Sequence, residues 1–235
     1  MSVGNRVFTK RHLAAPSVID GFHDIPAANV ADTMGRSCAL SAEIRLLSRP
    51  TKSVMVGSAL TVKTRAGDNL LLHKALDMAK EGDVIVVSNE NDRNRALMGE
   101  IMLSLVSCQK KIAGIVLDGP IRDYEEVSQK DFFLYATGST PGGPYKNGPG
   151  EVNVPISCGG VSVNPGDIIL GDYDGVIVIP REDAEQILTQ ARKLKEMDSA
   201  KLDAAKTGCA KRDWVDQVLQ NTQCEIIDDY YTAGR

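Results

Sequence analysis

Positive charge is not in excess in this chain. Its 27 Lys and Arg residues are scattered among 31 Asp and Glu, for a net charge of −4, so nucleic acid is not expected as the main partner. No apolar run approaches the roughly 18 residues that a membrane-spanning helix needs. The opening stretch MSVGNRVFTKRHLAAP has basic residues but no apolar segment behind them, so it is not read as a secretory signal. A cytoplasmic globular protein with no membrane partner is expected. The five cysteines, Cys38, Cys108, Cys158, Cys209 and Cys224, form no C-x-x-C pair, which disfavours a zinc site and a disulfide scaffold and predicts free thiols. His12, His23 and His73 show no H-x-x-x-H spacing, so any metal would be a hard cation held by carboxylates and water.

With 43% hydrophobic residues, 235 positions suffice for one large domain or two small ones. Residues 1–50 read as helical with loops, including a helix over Ala27 to Met34 that Gly35 stops. SVMVGSALTVKT (53–64) reads as a strand, and Asp68-Asn69 as the N-cap of a helix through Leu70, Leu71, Ala75, Leu76 and Met78. VIVVS (84–88) and IAGIVLDG (112–119) read as buried strands flanking a helix over about 99–110. This alternation predicts an α/β core. Thr137 to Gly150, dense in glycine and proline, reads as a loop whose length implies function or mobility. Short strands at closely spaced turns follow, then a long charged helix over about 181–206 and a tail with Trp214.

The usual signatures of α/β nucleotide binding are missing. No G-x-G-x-x-G follows a strand, and neither a phosphate-binding G-x-x-x-x-G-K-[ST] nor a nucleophile elbow G-x-S-x-G occurs. Charge instead gathers where such folds keep ligands, beyond the carboxyl ends of strands. Asp118-Gly119-Pro120-Ile121-Arg122-Asp123 follows the strand ending in IVL, and Gly99-Glu100-Ile101-Met102 opens a helix whose free N–H groups suit a carboxylate. The Arg-Asp pair could hold an anionic substrate and a metal together, or form a surface salt bridge capping the next helix. His73 reads as a packed helix residue more readily than a catalytic one, and Asp172 and Asp174 as turn formers.

GSALTV (57–62), GDN (67–69), GDVIVV (82–87), GEIM (99–102), GPIRD (119–123) and GGVSVNPGDIILGDYDGVIVIP (159–180) occur in an order and spacing that resemble the family of 4-hydroxy-4-methyl-2-oxoglutarate aldolases, which have oxaloacetate decarboxylase side activity, and the related regulator of ribonuclease E activity. The likeness runs from about Ile25 to Lys206. It implies a phosphohistidine-swivelling-like β/β/α fold in a single α/β domain with added N- and C-terminal helices. Residues 1–180 would form the core, and 181–235 a helix and tail packing on a neighbouring subunit of a homotrimer or homohexamer.

The resemblance also implies a small 2-oxo acid substrate and a divalent cation, Mg²⁺ or Mn²⁺. Asp123 would bind the cation directly, and Arg122 would bind the keto acid and stabilise charge developing on it. Backbone N–H groups of Gly99, Glu100, Ile101 and Met102 would hold the substrate carboxylate, while the Glu100 side chain would reach metal-bound water, at a position where the family often has Asp. A neighbouring subunit's helix would reach the same water through Asp198, or through Glu196 as the alternative; the two lie about 200° apart around a helix and cannot share a face. Cleavage next to a 2-keto acid leaves a pyruvate enolate, whose charge a Lewis-acid cation and Arg122 would share. The base for the carbinol proton stays open, with metal-bound water and a side chain as candidates. The competing reading is a non-catalytic regulator, a type that is shorter and lacks the long C-terminal helix. A quinone-biosynthesis methyltransferase is disfavoured by the missing glycine-rich cofactor loop.

Overall fold

The structure is a computed structural model that describes residues 3–109 and 111–232. The Cys108 side chain and Lys110, on which two expectations above fall, lie outside the described residues. The chain opens with strand β1 (Asn5–Val7), helices α1 (Pro16–Asp20) and α2 (Ala27–Thr33), and strand β2 (Arg45–Leu46). The α/β part then runs β3 (Met55–Thr64), α3 (Leu70–Met78), β4 (Asp83–Ser88), α4 (Glu100–Gln109), β5 (Gly114–Leu117), α5 (Tyr124–Val127) and β6 (Phe133–Ala136). Strands β7 (Gly150–Val152), β8 (Ile156–Cys158), β9 (Val161–Val163), β10 (Ile168–Gly171) and β11 (Val176–Ile179) lead to helices α6 (Ala184–Lys206) and α7 (Asp213–Asn221).

The α/β expectation holds, with β3, β4, β5 and β6 parallel at the centre of one sheet. Nine of β3's ten residues are buried, because the strand is covered on both faces and paired on both edges. Its length lets one edge serve two partners. Met55 to Ser58 pair with β10 and Val62 to Thr64 with β7, both antiparallel. The β10–β11 and β8–β9 hairpins account for the antiparallel strands expected after residue 150. On one face Leu72, Leu76, Leu103, Val106 and Val127 of the helices pack on Leu60, Ile85, Ile115 and Leu117 of the sheet. On the other, the β8–β9 hairpin covers Ala59, Val84, Val86 and Val116.

Two departures occur at the ends of the chain. Residues 1–50 contain strands as well as helices, because β1 pairs with β7 and β2 with β6, partners that lie far away in sequence. The tail around Trp214 contains helix α7, whose first turn carries Asp213 and Asp216, the charge a helix N-terminus favours.

The chain forms two compact units, Met1–Lys195 and Glu196–Arg235. In the first, α6 contributes Ala184, Ile187, Leu188 and Ala191 to a core with α1, α2, β10 and β11. In the second, Met197, Leu202, Trp214 and Val218 stay exposed. Among the described residues no helix is long and apolar enough to cross a membrane. Cys38, Cys158, Cys209 and Cys224 are free thiols, and burial foremost raises the pKa of the first two.

Candidate active site

Strand β5 ends at Leu117, and the chain continues as a stitched extension of the sheet rather than a free loop. Leu97 N–H donates to Pro120 C=O and Arg122 N–H to Met98 C=O, both at 2.9 Å. On the other flank Ile121 N–H donates to Gly138 C=O at 2.9 Å and Thr140 N–H to Ile121 C=O at 2.8 Å. Ile121 is fully buried between these neighbours, so Arg122 and Asp123 emerge from a fixed base. Asp118, at the other end of the segment, is buried and structural: its Oδ1 pairs with Arg93 Nη1 at 3.1 Å and its Oδ2 accepts from Gly159 N–H at 3.2 Å.

Asp123 adopts the left-handed backbone conformation, φ 56° and ψ 44°, which Asp tolerates better than most side chains. It stands at the start of α5 without capping it. Its Oδ2 instead accepts from the Glu100 N–H, 3.1 Å away at the start of α4, with Arg122 Nε 3.6 Å from the same oxygen. The simple reading of this pair as a cap on the following helix is therefore corrected: the carboxylate caps α4 instead. The Arg122 and Asp123 side chains keep 45% and 38% exposure, enough to meet a ligand. Gly99 makes the approach possible, since a Cβ there would lie 2.2 Å from Asp123 Oδ2 and 2.9 Å from Arg122 Cγ.

These groups line a cleft of about 260 Å³ together with Asn69, His73, Gly99, Ile101, Met102, Gly143, Pro144 and Lys146. The first-turn N–H groups of α4 have no acceptor within the helix, which suits a carboxylate, although Asp123 holds that of Glu100 in this structure. The Glu100 carboxylate pairs with Lys130 Nζ at 3.0 Å, and it is absent from the cleft lining.

The lining residues from the start of α3 and from the glycine-rich segment depend on Asp68, which is fully buried. Its Oδ1 accepts from Leu70 N–H at 2.9 Å, and its Oδ2 from Asn147 and Gly148 N–H at 2.8 and 2.9 Å. The helix-start signal at 68–69 was thus sound, with Asp68 rather than Asn69 as the capping side chain. Tyr145 N–H donates to Gly67 C=O and Ala96 N–H to Gly142 C=O, while Arg95 lies over the Tyr145 ring at 4.1 Å. The glycine-rich segment is therefore held in place as a wall. Asp68→Ala would take the acceptor from three N–H groups, that of buried Gly148 among them, and is expected to lower unfolding free energy by roughly 1–3 kcal/mol in urea titration. An unchanged midpoint would mean that the segment is held elsewhere.

Asn69 and His73 are four residues apart on one face at the start of α3. The Asn69 Nδ2 donates to Leu97 C=O at 2.8 Å, while its Oδ1 is buried with no donor among the described residues. Burial, and secondarily Lys146, lower the His73 pKa, with Asp77 opposing them. Sequence reasoning places Asn69 only in the GDN segment and at a helix start and reads His73 as a packed helix residue, so neither enters the predicted site. Asp172 serves its turn, its Oδ1 accepting from Asp174 N–H, and its Oδ2 also takes the Ala27 N–H at the start of α2. Asp198 and Glu196 belong to the second unit, where Asp198 Oδ1 pairs with Lys201 Nζ at 2.9 Å.

Among the described residues no three His, Cys, Asp or Glu side chains gather into a metal cage. Asp123 alone brings an accessible carboxylate to this cleft, and its Oδ1 has no partner among the described residues. One carboxylate in an open cleft fits a hard cation that keeps most of its waters, as Mg²⁺ does, and does not fit a zinc site.

Residues 27–178 match the model of the RraA-like family, described as Aldolase/RraA. A candidate 4-hydroxy-4-methyl-2-oxoglutarate aldolase of Halalkalibacterium halodurans is 39% identical over 183 residues, 78% of this chain and 86% of that protein. The 4-hydroxy-4-methyl-2-oxoglutarate aldolase of Thermus thermophilus is 37% identical over 48% of this chain and 68% of its own length. Among solved structures, an uncharacterised protein from Pseudomonas syringae superposes with TM-score 0.73 at 25% identity, covering 84% of this chain and 96% of that one. Streptomyces coelicolor RraAS2, described as an unusual member of the RNase ES inhibitor RraA protein family, shares the fold with TM-score 0.71 at 22% identity, covering 81% and 98%.

Proposed function

The chain belongs to the RraA-like family, and from that premise we propose that it is a carbon–carbon lyase that cleaves a 4-hydroxy-2-oxo acid of the 4-hydroxy-4-methyl-2-oxoglutarate type to pyruvate. Oxaloacetate decarboxylation would use the same site. The observation that carries this reading is the adjacent, accessible Arg122 and Asp123 at the open N-terminus of α4, packed against a position where only glycine fits. The names of the aldolase relatives support it.

In this reading the first-turn N–H groups of Ile101 and Met102, with Gly99, hold the substrate's C1 carboxylate. Arg122 directs planar donors at the 2-keto oxygen, where negative charge grows as the neighbouring bond breaks. Lys146, in the lining of the same cleft, suits the substrate's distal carboxylate. A divalent cation, Mg²⁺ or Mn²⁺, would be held by Asp123 and when bound would supply Lewis-acid polarisation of the keto group. Glu100, and Asp198 or Glu196 of a neighbouring copy, remain proposed contacts to its water shell. Exposed Ile101 and Leu105, one turn apart beside the cleft, support a homotrimer or homohexamer with sites at subunit boundaries.

The test is pyruvate release from 4-hydroxy-4-methyl-2-oxoglutarate and from oxaloacetate, with Mg²⁺ and with chelator. Chelator-sensitive release from both is expected. No release from either would leave the regulator as the better reading. Arg122→Lys keeps the charge but loses the planar fork, so kcat/KM is expected to fall by about tenfold or more. A near-normal rate would make Arg122 structural.

A further inference from the structure

Retro-aldol cleavage needs a group to take the proton of the carbinol hydroxyl, and the cleft narrows the choice. Among its lining residues Asn69 is not basic, while Arg122 and Lys146, as cations, offer donors and no acceptor. Asp123 already accepts from Glu100 N–H beside the Arg122 guanidinium. Glu100 lies outside the lining with its carboxylate on Lys130. His73 is the one described lining side chain that can bring a neutral lone pair and exchange a proton near neutral pH.

We infer that His73 is the general base of aldol cleavage, taking the proton of the C4 hydroxyl of a 4-hydroxy-2-oxo acid whose keto end lies at Arg122. The inference rests on the lyase reading. His73 projects from the first half of α3 and lines the same cleft as Arg122. Burial and the Lys146 charge both disfavour imidazolium, so the resting ring is neutral with a free lone pair, while Asp77, one turn further along α3, moderates the effect.

The electrons balance without an added reactant. The imidazole lone pair takes the hydroxyl proton, and the O–H pair becomes the new C4 carbonyl bond. The C3–C4 bond breaks with its pair forming C2=C3, and the keto π pair moves onto the oxygen facing Arg122. Solvent protonates C3 to give pyruvate, the imidazolium returns its proton to solvent, and the C4 fragment leaves as a second 2-oxo acid. Oxaloacetate takes a different course, because its bonding pair is released by loss of CO₂ and there is no carbinol proton to remove. A base at C4 should therefore matter to one reaction and hardly to the other.

His73→Gln and His73→Asn, assayed with Mg²⁺ on both substrates, separate the two. The expected result is a fall in kcat for 4-hydroxy-4-methyl-2-oxoglutarate cleavage of about 10²–10⁴-fold, with oxaloacetate decarboxylation kept within about threefold. The retained decarboxylation also reports that fold and site are intact in each variant. Equal losses on both substrates, no loss on either, or a loss confined to KM would overturn the role of His73 while leaving the lyase reading standing. Wild-type protein inert toward both substrates would overturn the lyase reading and the base together.

Discussion

Asp123→Asn is expected to lower pyruvate formation by about 100-fold or more, since several kcal/mol of cation stabilisation would go with the charge. Asparagine suits this test better than alanine. It tolerates the left-handed backbone found at 123, and its carbonyl oxygen can still accept the Glu100 N–H. A loss of activity would then report the missing charge rather than a frayed α4. Thermal unfolding should move little, while Mg²⁺ binding followed by calorimetry should disappear. Activity above a tenth of wild type would sink the assignment of Asp123 as the cation's ligand.

Gly99→Ala should be nearly as damaging, although it adds one methyl group and changes no charge. That carbon would sit 2.2 Å from Asp123 Oδ2 and 2.9 Å from Arg122 Cγ, closer than packed structures accept. The Asp123 carboxylate must swing away, giving up the Glu100 N–H and carrying Arg122 with it. A displacement near 1 Å at such a site costs on the order of 100-fold in kcat/KM. The backbone at Gly99 is not in the left-handed region, so alanine should be conformationally tolerated and the unfolding midpoint should shift only slightly. Near wild-type kinetics for Gly99→Ala would show that the Arg–Asp geometry is not required.

The parts of the fold that were legible in the sequence are those that carry their own signal. β3, β4 and β5 are buried on both faces and read as continuous apolar runs, and α3 announces itself through Asp68 and the spacing of its leucines. β1 and β2 could not be read, because three and two residues hold no periodicity and their partners lie far along the chain. The same divide runs through the candidate site. Arg122, Asp123 and the α4 N-terminus follow from a charged segment at a strand end and from family resemblance. The Lys130 partner of Glu100, the clash that keeps position 99 a glycine, and the arrival of His73 and Asn69 in one cleft with Arg122 all depend on long-range packing.

The stitching of residues 118–123 has an evolutionary consequence. Both flanks of this segment are held by backbone groups, Leu97 and Arg122 to one side and Gly138 and Thr140 to the other. Those bonds do not depend on which side chains positions 122 and 123 carry. A descendant could exchange both residues and keep the sheet, the cleft wall and the buried Ile121 unchanged. In lineages that reuse this surface for binding the sheet would survive, and the folding cost of the exchange would be confined to the α4 cap and the left-handed backbone at 123, which Asn or Gly also suits.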